Sequence, residues 1–189
     1  MRLRSFFILP VCMLLAVAAC QKENKDKAEP EAVDMTSTKT YKASVLWATC
    51  NLGATSPDRP GEYYTWGEDD PCAEKLGEGW RMPSREEFSD LLDACNVEVI
   101  QYAEDSWVVG CKLTSKTTGN SLFFPVYGYK DEDGKIVNYN QKGYYWTSTA
   151  FDNPQEAESV SFRLEEKPFY WKSKSFRTYG LQIRPVREP

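Results

Sequence analysis

The sequence predicts an α+β domain, because one well-capped helix stands among many short apolar runs and long turn-rich loops. Ser44 to Thr49 reads as the first strand. Asn51–Gly61 follows as a loop, and Pro71 to Leu76 reads as a short helix. Pro83-Ser84-Arg85-Glu86-Glu87 opens the main helix. Ser84 with Glu87 three residues on is a capping box, and the acidic first turn suits the positive end of the helix dipole. Phe88, Leu91, Leu92 and Cys95 fall at i, i+3, i+4 and i+7, which predicts one buried stripe. Trp107 to Leu113 and Ser121 to Phe124 are short apolar runs of strand type. Lys130-Asp131-Glu132-Asp133-Gly134-Lys135 carries the Asp-Gly signal of a hairpin turn. Tyr144 to Thr149, Ser159 to Leu164 and Leu181 to Arg187 show alternation or aromatic and β-branched enrichment, with a loop at Asp152–Glu156.

Composition removes several kinds of chemistry. The chain has 189 residues and no histidine. No imidazole base and no His-containing zinc site can exist within it, and Ser-His-Asp or Cys-His catalysis is excluded. With 23 basic against 28 acidic side chains the net charge is −5, which argues against nucleic acid as a partner.

The first 40 residues read as an address and a tether. Arg2 and Arg4 precede an uncharged, mostly apolar stretch from Phe6 to Ala19. That stretch is shorter than the roughly 20 residues a permanent membrane helix needs, and it reads as a secretory signal. It ends in Val17-Ala18-Ala19-Cys20, which resembles a bacterial lipobox. The resemblance implies cleavage after residue 19, lipid on Cys20 and attachment to a membrane. Gln21 in place of Asp points to the outer membrane by the simplest sorting rule. Signals for display on the outer face favour acidic residues after the cysteine, and Gln21-Lys22-Glu23-Asn24 has one, so the occupied face stays open. Without residues 1–19 the chain keeps 21 basic and 28 acidic side chains, net −7. Residues 20–40 lack aromatics and are expected to form a flexible tether with a reach of ~25 Å. Residues 41–189 form the domain. They hold all six tryptophans, all eleven tyrosines and seven of the nine phenylalanines, enough for a core with a surplus for a binding face.

Six fragments of this domain stand in a recognisable order. They are Leu46-Trp47-Ala48-Thr49-Cys50-Asn51-Leu52-Gly53-Ala54, Gly61-Glu62-Tyr63-Tyr64-Thr65-Trp66-Gly67-Glu68, and Gly79-Trp80-Arg81-Met82-Pro83-Ser84-Arg85-Glu86-Glu87. Gly119-Asn120-Ser121-Leu122-Phe123-Phe124-Pro125, Gly143-Tyr144-Tyr145-Trp146-Thr147-Ser148-Thr149 and Ile183-Arg184-Pro185-Val186-Arg187 follow. Together they resemble the Fibrobacter succinogenes major paralogous domain, common in surface lipoproteins of Bacteroidetes-type bacteria. The resemblance implies a C-type-lectin-like fold: a small antiparallel sheet, one or two helices, long loops, and paired N- and C-terminal strands. It also implies a recognition face between the Trp-Thr-Ser fragment and the last strand. The candidates there are Phe151, Asp152, Asn153, Tyr170, Trp171, Arg177 and Tyr179, since aromatic and arginine side chains suit both sugar stacking and protein hot spots. Phe162, Phe176 and Trp146 are expected in the core. Arg81 and Arg184, inside tight motifs, are expected to make fixed hydrogen bonds.

Export predicts two disulfides among Cys50, Cys72, Cys95 and Cys111. Three pairings are possible; Cys50–Cys95 with Cys72–Cys111 is favoured, and four buried free thiols are the alternative. Sugar-binding lectins of this fold often hold calcium through Glu-Pro-Asn or Gln-Pro-Asp and a later Trp-Asn-Asp. The nearest stretch here, Asp152-Asn153-Pro154-Gln155-Glu156, has no Trp-Asn-Asp after it, and no metal or other cofactor is expected. Asp131-Glu132-Asp133-Gly134 departs from the EF-hand spacing and fits a turn better. The adjacent carboxylates Glu86-Glu87 and Glu165-Glu166 do not face each other as an acid–base pair must. The same broad fold includes an enzyme with a reactive late cysteine pair, but no cysteine lies after Cys111. The expectation is therefore a lipid-anchored, non-enzymatic binding protein for a glycan or protein ligand, with a structural subunit of a fimbrial or other surface assembly as the alternative and an enzyme as the second alternative.

Overall fold

The computed structural model describes residues 30–36, 45–67, 69–100, 109–164 and 173–189. They form an α+β architecture of two short helices and several small antiparallel sheets. One sheet joins β1 (Ala32–Asp34), β2 (Leu46–Ala48), β12 (Val186–Arg187) and β3 (Trp80–Arg81), in that order. The pair β2–β12 closes the domain, bringing Val186 opposite Trp47. A second sheet has the order β4 (Cys95–Ile100), β5 (Gly110–Ser115), β6 (Ser121–Pro125). A third has the order β11 (Ser173–Phe176), β10 (Glu156–Arg163), β9 (Lys142–Ala150), and β7 (Tyr129–Lys130) with β8 (Ile136–Val137) forms a hairpin.

The helices form for the reasons their sequences offer. In α2 (Arg85–Ala94) the Glu87 amide donates to Ser84 Oγ at 3.2 Å, and the Ser84 amide donates to Glu87 Oε2 at 2.7 Å. Glu87 also receives both Arg81 Nη atoms, at 2.9 and 2.7 Å, so the cap ties the helix to β3. The short α1 (Pro71–Leu76) is capped by Asp70, which accepts from the Cys72 amide at 2.8 Å and, on its other oxygen, from the Met82 amide at 2.6 Å. Asp131 Oδ1 closes the β7–β8 turn by accepting from the Asp133 and Lys135 amides, with Gly134 in the left-handed region.

The core has two parts. Trp47, Phe88, Phe124, Tyr145 and Phe162 dominate one, with Trp47 and Phe88 edge-to-face at 5.0 Å. Trp80, Trp146, Leu181 and Ile183 dominate the other. Arg184, fully buried, joins them. Its Nε donates to Asn51 Oδ1, Nη1 to the carbonyls of Ala48 and Thr49, and Nη2 to that of Phe123, while the guanidinium lies over the Phe124 ring at 4.6 Å. Trp146 and Phe162 are core residues as expected, and Arg81 and Arg184 make the fixed hydrogen bonds expected of them.

Four expectations need correction. The domain begins earlier than residue 41. Ala32–Asp34, assigned to the tether, pair with β2, and Met35 behind them is fully buried. A partner strand, together with the Thr118 and Asn120 side chains that donate to the Asp34 carbonyl, orders a segment whose own composition is too polar to order itself. Cys95 is buried but not helical: its extended backbone ends α2 and begins β4, a strand the sequence reading did not assign. Phe176 is 44% exposed rather than in the core, because it lies on an edge strand.

The fourth concerns the disulfides. Cys50, Cys72, Cys95 and Cys111 are all free thiols. Cys72 packs with Trp80 and Trp146, while Cys111 packs with Trp47 and Phe124, so the favoured partners occupy separate parts of the core. Cys95 lies in the same part as Cys111, and Cys50 is half-buried outside both. Three of the four thus behave as small apolar core residues.

Candidate functional site

Two cavities flank β11. The more aromatic one, about 250 Å³, is a groove lined by Tyr129, Tyr144, Phe176 and Tyr179 with Lys142, Glu156 and Lys174. Its rings hold one another in place. Tyr129 and Tyr179 stack at 4.9 Å, Tyr144 meets Tyr129 edge-on at 4.9 Å, and Phe176 meets Tyr179 edge-on at 5.3 Å. Tyr144 is further fixed by the Asn138 Nδ2 donor, 2.7 Å from its hydroxyl. Burial raises the pKa of Tyr144 and of Tyr129, so both hydroxyls stay protonated near neutral pH.

Charged groups border the rings. Lys142 Nζ lies over the Tyr144 ring at 4.8 Å. Lys174 Nζ lies 2.8 Å from Glu156 Oε2 and over the Phe151 ring at 4.7 Å. The hydrogen bond from Lys174, joined by one from Asn153, lowers the pKa of Glu156. The second cavity, about 230 Å³, is lined by Arg85, Phe151, Glu158, Ser173 and Lys174, with Arg85 Nη1 2.9 Å from Glu158 Oε1. Lys174 therefore borders both cavities.

The sequence-derived candidates divide accordingly. Tyr179 lines the aromatic groove and Phe151 the second cavity. Asn153 braces the turn, accepting from the Gln155 amide and donating to Glu156. Asp152 is exposed on that turn and lines neither cavity. Arg177 is committed to the scaffold: its Nε donates to the Glu156 carbonyl at 3.0 Å and its guanidinium covers the Trp66 ring at 4.3 Å. Tyr170, Trp171 and Cys20 lie outside the described residues.

The sequence reading missed Tyr129, Tyr144, Lys142, Glu156 and Lys174 as site residues. Lys142 and Tyr144 are two apart on β9, as are Lys174 and Phe176 on β11, and residues so spaced share a face of a strand. That spacing was the available signal. Tyr129 carried none, since only the packing of the β7–β8 hairpin brings it to Tyr144 and Tyr179.

Among the described residues no group of three or more His, Cys, Asp or Glu is placed to hold a metal ion. In the Asp152–Glu156 segment, the Glu156 carboxylate is bound to Asn153 and Lys174. Compared with protein-family models, with curated proteins and with solved structures, the chain matches none.

Proposed function

We propose that this chain is an exported lipoprotein, lipidated on Cys20 and held at the outer membrane, whose C-type-lectin-like domain binds a glycan. The observation that carries the binding reading is the groove of four mutually braced aromatic rings bordered by Lys142, Glu156 and Lys174. Ring faces offer flat apolar platforms to the C–H faces of a sugar, and the charged rim offers donors and an acceptor to its hydroxyls. Size favours a glycan over a protein ligand at this groove. A cavity of about 250 Å³ falls just below the ~300–1,000 Å³ typical of small-molecule sites, whereas a standard protein interface buries ~1,600 Å². The lectin-like reading is supported by the pairing of β2 with β12 and by the small antiparallel sheets packed with a capped helix.

A glycan array probed with the full chain purified in detergent, with and without calcium, tests this reading. Capture of a defined set of oligosaccharides is expected. An array left blank in both conditions would remove glycan binding from the account. Cys20→Ala should release the chain from the membrane fraction, and its retention there would defeat the proposed anchor.

A further inference from the structure

We infer that a further cavity, beside β6, is a binding site for short free peptides, which add as an extended segment to the open edge of that strand. It shares no lining residue with the aromatic groove, and a blank glycan array would leave it standing. The cavity holds about 410 Å³, inside the ~300–1,000 Å³ typical of small-molecule sites. Glu31, Cys50, Pro57, Lys112, Ser121 and Phe123 are in its lining. Buried Arg184 pins two of its walls together, donating from Nη1 to the Thr49 carbonyl and from Nη2 to the Phe123 carbonyl at 2.7 Å. The shape of the cavity is therefore set before a ligand arrives.

The backbone of β6 says what kind of ligand fits. β6 is the outer strand of its sheet. The Val126 amide donates to the Val109 carbonyl and the Ser115 amide to the Asn120 carbonyl, both at 2.9 Å. In an antiparallel pair hydrogen-bonded positions alternate, so Leu122 and Phe124 face β5 while the N–H and C=O groups of Ser121 and Phe123 point away from it. The Phe123 carbonyl is taken by Arg184. Among the described residues, the Phe123 amide and both backbone groups of Ser121 have no partner. They lie in the lining of the cavity, beside the Phe123 ring and Pro57. An extended peptide repeats its own N–H and C=O at the spacing of such an edge, and its side chains take the apolar surface. A free peptide also carries an ammonium at one end and a carboxylate at the other, matching Glu31 and Lys112. Neither of these forms an ion pair among the described residues, and Glu98, opposite Lys112 on β4, is no exception.

Trivaline is the probe, added to the full chain in detergent while amide exchange is followed by nuclear magnetic resonance and Cys50 alkylation by mass spectrometry. At saturation the Ser121 and Phe123 amides should exchange more slowly, Leu122 should be unchanged, and Cys50 should be alkylated more slowly. Trivaline N-methylated at its central amide loses one edge bond and should bind roughly fivefold more weakly. Ser121→Pro removes an outward N–H without touching the ladder to β5, and it should weaken binding by a similar factor. Lys112→Gln should weaken trivaline but not its C-terminal amide, and it keeps the inference testable if Ser121→Pro fails to fold. Exchange at Ser121 and Phe123 that is already slow without peptide would assign the edge to another part of this chain and overturn the inference. Unchanged exchange and alkylation at millimolar trivaline, or full affinity for the N-methylated form, would overturn it too. Equal affinity for trivaline and for its form capped at both ends would exclude free peptides as the ligand class.

Discussion

Arg184 shows how much one side chain can hold. Its guanidinium is out of contact with water and, among the described residues, is hydrogen-bonded to carbonyl and amide oxygens rather than to a carboxylate. Burial lowers its pKa, opposed by nearby Tyr145 and Cys50. Each such bond to a charged group contributes ~1.5–3 kcal/mol, and removing the donor strands buried acceptors. Arg184→Met should therefore lower the unfolding free energy by ~3 kcal/mol or more in urea titrations. Arg184→Lys should not restore it, because an ammonium cannot reach the carbonyls of both Thr49 and Phe123 from one position. A loss below about 1 kcal/mol would mean that the surrounding carbonyls find other partners.

At the scale of elements, β1 is the instructive case. It is three residues long and gains its order from β2 on one side and from Thr118 and Asn120 on the other. Met35, just beyond it, fills the core beside Trp47 and Phe88. Met35→Ala should destabilise the domain by ~2–5 kcal/mol, as for other long apolar side chains truncated in a core. A stability unchanged within error would return residues 30–36 to the role of a plain tether. The capping box of α2 is the opposite case. Ser84 and Glu87 announce the helix start from four consecutive positions, because the bonds that form it are local. The helix end was not announced. Cys95 continues the apolar period of α2, yet its chain turns into β4 to pair with β5.

For the whole molecule, the cysteines decide how the domain is held together. Burial pushes the Cys95 thiol up to about 11 and the Cys111 thiol up to about 12, with Cys72 raised further. At pH 8 these three are protonated and shielded, whereas half-buried Cys50 lies beside a surface cavity of about 410 Å³. Alkylation of the folded protein at pH 8, followed by mass spectrometry, should label Cys50 first. The other three should label only on unfolding, without any reductant. Labelling that requires reductant would restore the two predicted disulfides. Without such bridges, stability rests on the two parts of the aromatic core and on the closure of β2 against β12.

The sequence by itself determined the α+β class, the start of α2, the β7–β8 turn and the roles of Arg81 and Arg184. These follow from signals a few residues long: a capping box, an Asp-Gly step, an arginine inside a tight motif. The tertiary structure alone decided that residues 32–36 belong to the domain, that Cys72 and Cys111 lie apart, and that Tyr129 meets Tyr144 and Tyr179. It also turned Arg177 from a ligand candidate into a brace over Trp66. Each of these depends on strands distant in the chain finding one another, and side-chain type and spacing along one segment carry no record of its partner.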